Sequence, residues 1–132
     1  MIKGLRKLDV ITLFAEDLAA TTAFYTEVLG LDVVFQNEDS AVVALDNVLI
    51  NVLTVANAPE LVAPAAVGDA RSGARALFTI EVADARAVCT ELEQHGVQLL
   101  NGPVDRPWGR RTAAFADPSG NVWEIAEVLP AG

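Results

Sequence analysis

The chemistry this chain can do rests on few side chains. Glu124 is the most informative. In the segment Asn121–Val128, period-2 alternation sets Val122, Glu124 and Ala126 on one face of a strand and Trp123, Ile125 and Glu127 on the other. A carboxylate on a mostly apolar face must be paired, hydrated or held for a ligand. Raised in pKa by apolar neighbours it could act as a general base, although no electrophile stabiliser stands out beside it. Cys89 falls on the apolar side of an expected helix with no histidine nearby, which reads as a packed thiol rather than a nucleophile. His95, the single histidine, falls at that helix's C-terminus, where capping is the expected role. No G-x-S-x-G, phosphate-cradling glycine loop or paired-cysteine motif is present.

The elements that position these residues can be read along the chain. Leu8–Phe14 is a near-continuous apolar run and predicts a buried strand. Asp17 caps a helix from Leu18 to about Leu29 that Gly30 ends. Leu31–Gln36, Ser40–Leu45 and Val48–Ala56 predict three strands, joined at Asn37-Glu38-Asp39 and at Asp46-Asn47. Asn57–Ala74, rich in Ala, Pro and Gly, has no periodicity and reads as a linker. The pattern then repeats. Arg75–Val82 predicts a strand, Asp84 caps a helix to His95, and Gly96 closes it. Val97–Leu100 begins another strand and Asn101-Gly102-Pro103 turns. Asp117-Pro118-Ser119-Gly120 makes the tight turn of the last hairpin. The expectation is an α+β fold in one domain, 1–132, with βαβββ module one at 6–56, linker 57–74 and module two at 75–128. Two such modules predict curved mixed sheets around a cleft.

Composition narrows the partners. The chain has 132 residues, 52% hydrophobic and 20% charged, with a net charge of −9, which fits a soluble globular domain. Between Leu8 and Ala70 there are ten acids and no Lys, Arg or His. That argues against nucleic acid as partner. It serves either solubility or the attraction of cationic ligands. No apolar run is long enough to span a membrane, and no signal peptide is evident, so the expected location is cytoplasmic. One cysteine excludes an internal disulfide.

DPSGNVWE at 117–124, preceded by PWGRR at 107–111, together with Phe24-Tyr25 and Leu29-Gly30, resembles the vicinal oxygen chelate superfamily. That superfamily holds glyoxalase I, extradiol dioxygenases, fosfomycin-inactivating enzymes and bleomycin-resistance proteins, and PWGRR is most similar to the bleomycin-resistance branch. The resemblance covers nearly the whole chain and implies the paired-module fold. It also implies, for the metal-dependent members, ligands on the first and last strand of each module. The corresponding residues here are Val10, Asn51, Leu77 and Glu124, with Asn51 placed to within one residue. Two aliphatic side chains among the four predict no metal and no cofactor. The remaining reading is a pocket for a small organic molecule, a cationic one favoured. Its lining is Val10, Thr12, Phe14, Asn51, Leu77, Thr79, Trp108 and Glu124. Inward strand residues also serve simply as core, and that alternative stands beside it. The resemblance further implies a homodimer. The competing expectation is a metal-dependent lyase, isomerase or dioxygenase with non-standard ligands such as Asp9 or Asp46.

Overall fold

A computed structural model describes residues 1–131. The chain divides into two compact units, Met1–Asp69 and Ala70–Gly132. In the first, β1 (Val10–Ala15) is followed by α1 (Leu18–Ala23), a π-helical turn (Phe24–Val28), β2 (Asp32–Gln36), β3 (Ser40–Ala44) and β4 (Leu49–Thr54). The strands form one sheet in the order β1-β4-β3-β2, with β1 parallel to β4 and the other neighbours antiparallel. The second unit repeats this plan. Its elements are β5 (Phe78–Glu81), α3 (Ala85–Gln94), β6 (Asn101–Arg106), β7 (Arg110–Ala116) and β8 (Val122–Val128), ordered β5-β8-β7-β6. This is the α+β, twice-βαβββ arrangement predicted.

Each sheet has one face under its helix and one turned away. In unit one Leu13, Ala15, Ala41, Val43, Ile50 and Val52 are buried on the α1 side. In unit two Ala113, Phe115, Trp123 and Ile125 are buried with Ala85, Cys89 and Leu92 of α3. Both helices begin as the aspartates demand: Asp17 Oδ1 accepts from Ala20 N and Asp84 Oδ1 from Ala87 N, each at 3.0 Å. Glu127 adds a second cap to α3, its Oε1 accepting the Ala85 N–H at 2.8 Å. Asp117 organises the last hairpin, accepting from Ser119 N, Asn121 N and Asn121 Nδ2, while Gly120 takes a positive φ of 87°.

Several expectations need correction. The helix expected over Leu18–Leu29 changes register: Leu29 N–H donates to Phe24 O, a π-type bond, and the Thr26 hydroxyl donates to the Thr22 carbonyl at 3.2 Å. The expected strand Leu8–Phe14 starts two residues later, and Arg75–Val82 shrinks to Phe78–Glu81, so Leu77 precedes its strand. The expected strand Val48–Ala56 narrows to Leu49–Thr54 and gives way to a 3₁₀ turn (Val55–Asn57), and the linker 57–74 begins with a short helix, α2 (Pro59–Val62). Asn101-Gly102-Pro103 is not a turn but the start of β6, and Val97–Leu100 lies outside any strand. The reason is a register shift between Asn101 and Val104, an edge-strand irregularity where Gly and Pro are tolerated. Both β2 and β6 are edge strands, and Val33, Val34 and Phe35 on β2 are exposed.

Candidate functional site

In each unit the sheet face turned away from the helix carries predicted residues: Val10, Thr12, Phe14 and Asn51 in the first, Thr79 and Glu124 in the second. In unit one, Val10, Thr12 and Phe14 alternate along β1 and are half-buried. Register pairs Val10 with Leu49 and Thr12 with Asn51, so the side chains of Thr12 and Asn51 stand together. Asn51 Nδ2 donates to Thr12 Oγ1 at 3.4 Å, while Asn51 Oδ1 is buried without a hydrogen-bond partner. In unit two, Thr79 pairs with Glu124 across the parallel β5–β8 ladder, and the Thr79 hydroxyl donates to Glu124 Oε1 at 2.9 Å. Glu124 is half-buried over Ala114, its neighbour on β7. The two pairs are equivalent, since each joins the first strand of a module to its last at matching register. That equivalence fixes Asn51 itself, not a neighbour, as the counterpart of Glu124.

Leu77 and Trp108 are placed differently from their partners. Leu77 is 51% exposed just before β5. Trp108 lies in the turn joining β6 to β7, where Gly109 N–H reaches Arg106 O, and is 69% exposed. The structure brings Thr12 to Asn51 and Thr79 to Glu124. It leaves Trp108 at a hairpin tip.

Neither unit's donor set fits a divalent ion. Such an ion needs several N, O or S donors at about 2.0–2.2 Å. In unit one Val10 has none beside Asn51, and in unit two Leu77 has none beside Glu124. Among the described residues no three His, Cys, Asp or Glu side chains gather at one point. His95 caps α3 and its Nδ1 sits 2.8 Å from Glu91 O. Cys89 is buried on α3, and burial, with Glu93 adding, pushes its thiol pKa up and away from the reactive thiolate.

One residue escaped the sequence reading. Arg106, at the end of β6, donates from Nε to Thr112 Oγ1 at 2.9 Å and from Nη2 to Asn101 Oδ1 at 3.3 Å. Thr112 is buried and pairs with Ala126, and Ala114 with Glu124, so alternation puts Arg106, Thr112 and Glu124 on one face. On the opposite face Asp105 accepts from Arg111 Nε at 2.6 Å, and Arg111 reaches Glu127 at 3.7 Å. That hydrogen bond holds the Asp105 carboxyl below the usual carboxylate range.

Comparison with known proteins supplies the frame. Residues 7–125 match the family model described as Glyoxalase/Bleomycin resistance protein/Dioxygenase superfamily. The uncharacterized protein YraH of Bacillus subtilis is 30% identical over 129 residues, covering 93% of this chain and 99% of that one. A glyoxalase-related enzyme from Fulvimarina pelagi superposes with a TM-score of 0.81 at 30% identity, over 93% of this chain and 88% of the other. A glyoxalase/bleomycin resistance protein/dioxygenase from Nocardioides gives a TM-score of 0.87 at 22% identity, covering 99% and 89%, a likeness of fold. Among the described residues no helix is long and apolar enough to cross a membrane.

Proposed function

We propose that this chain, which belongs to the Glyoxalase/Bleomycin resistance protein/Dioxygenase superfamily, binds and sequesters a small organic molecule without a metal, in the manner of the bleomycin-resistance proteins. One observation carries the reading. At the positions where metal-dependent relatives hold an ion, the chain has Val10 and Leu77, and the polar residues beside them are committed to threonines of their own sheets. Glu124 keeps its Oε2 for a donor, and the acids of the first module favour a cationic ligand. Each module offers apolar contact of its own, Val10 and Phe14 in the first and Leu77 and Trp108 in the second, the latter two more than half exposed. The functional form is a homodimer, which sedimentation would read directly.

Calorimetric titration with cationic glycopeptide antibiotics at low and high salt tests this. The expected result is saturable heat, weaker at high salt, with Glu124→Gln lowering affinity by about tenfold. Absence of heat with every such compound removes the antibiotic version.

The likeness at 30% identity to a glyoxalase-related enzyme from Fulvimarina pelagi favours a second reading. It is a metal-dependent lyase, isomerase or dioxygenase that uses ligands other than the usual ones. Elemental analysis of purified protein separates the two: near-stoichiometric metal, with turnover that a chelator abolishes, selects the enzyme.

A further inference from the structure

The three arginines around the last hairpin do not share one role. Arg111 has Asp105 and Glu127, and Arg110 lies 3.9 Å from Glu81. Arg106 has neutral partners, a hydroxyl and an amide, and among the described residues no carboxylate comes within ion-pair distance of it. Those two bonds use two of the five guanidinium N–H groups and fix the plane of the fork. The Nη1–Nη2 edge retains three donors, enough to hold a carboxylate or phosphate through two parallel bonds. Arg106 shares its sheet face with Glu124, yet each is held by uncharged neighbours rather than by the other.

We infer that Arg106 is an anion-binding residue, and that the ligand of this face is a zwitterion whose carboxylate or phosphate meets Arg106 and whose cationic group meets Glu124. The inference rests on the reading that this face binds a small molecule. It adds the anionic half of that molecule. Thr112 and Asn101 act as positioning residues: they do not touch the ligand but hold the fork in place.

The probes are a homologous series of ω-amino acids, the matching monocarboxylates and inorganic phosphate, titrated at constant ionic strength and followed by the arginine Nε–Hε resonances. The monocarboxylates or phosphate bind saturably, whichever is tighter naming the anion class, and Arg106→Gln weakens them by about tenfold or more. Arg106→Lys retains part of the affinity, because charge remains without the fork. Best-fitting ω-amino acids bind more tightly than their monocarboxylates, and Glu124→Gln removes that advantage without weakening the monocarboxylates. Thr112→Val, which keeps the charge and the buried volume, costs a few-fold and serves where Arg106→Gln does not fold.

Non-saturable shifts, or equal affinities in wild type, Arg106→Gln and Thr112→Val, overturn the inference. The two proposals fail separately. A cationic glycopeptide whose affinity ignores Arg106→Gln leaves sequestration standing and removes the zwitterion. Anion binding at Arg106 without any glycopeptide heat keeps the zwitterion and removes the antibiotic version.

Discussion

Thr79 donates its hydroxyl to Glu124 Oε1 at 2.9 Å, at the register where Thr12 meets Asn51 in the other module. One frame thus holds an acid at one address and an amide at the other. The acid end is satisfied on one oxygen. At the amide end Oδ1 is buried with no partner.

An unpaired buried acceptor costs about 1–3 kcal/mol. Asn51→Leu, similar in volume, removes it and leaves the Thr12 hydroxyl free to turn elsewhere. We expect the variant to be as stable as wild type or more stable by about 1 kcal/mol, measured by urea denaturation. A loss of 2 kcal/mol or more would mean that Asn51 has a role in the fold that its bonds do not show.

The start of α3 is held twice, by Asp84 through Ala87 N and by Glu127 through Ala85 N. Asp84→Ala should cost about 1 kcal/mol. Glu127→Ala should cost more, about 1.5–3 kcal/mol, because it also removes a half-buried partner of Arg111. Denaturation midpoints of the single and double variants check both values and their coupling.

Gly102 has a positive φ of 87°, and a Cβ there would lie 2.3 Å from the Thr112 carbonyl and 2.8 Å from Ala113 Cα. Gly96 has a φ of 79° with open space around it. Gly96→Ala should therefore cost about 1 kcal/mol, from conformation alone. Gly102→Ala should cost at least about 3 kcal/mol, because backbone has to move. Thermal melting of the pair gives the comparison.

Asp105 sets a pH dependence. Its carboxyl is held below the ordinary value by the Arg111 hydrogen bond, so the folded state binds the proton less readily than the unfolded chain. The stability it contributes is present above the unfolded pKa of about 3.9 and is lost as pH falls through the lower folded value. Wild type should melt above Asp105→Asn near neutral pH, and the gap should close in acid below about pH 4. A gap that widens in acid contradicts the assignment.

Much of this architecture can be read in the amino acids because local chemistry and global pattern agree. Asp17 and Asp84 cap, Gly30 and Gly96 close, and Asp117-Pro118-Ser119-Gly120 turns, each by a mechanism confined to a few residues. Strand alternation likewise places Glu124 and Thr79 on one face. The start of β6 is illegible for the opposite reason: Asn-Gly-Pro is turn chemistry, and only pairing across an irregular edge makes it extended. Arg106 is hidden behind the same irregularity. Its partners Thr112 and Asn101 are near in sequence, but their common face depends on a register shift that no periodicity reveals.

Two of the four edge strands, β2 and β6, differ in how they face a stray chain. β6 carries Pro103, which withholds an N–H, a charged Asp105 and a displaced register. β2 presents Val33, Val34 and Phe35 with one irregularity between Val33 and Phe35, and no proline or lysine. In concentrated solution the net charge of −9 keeps molecules apart. Acidifying toward the isoelectric point removes that repulsion, and precipitation should then begin by strand addition at β2.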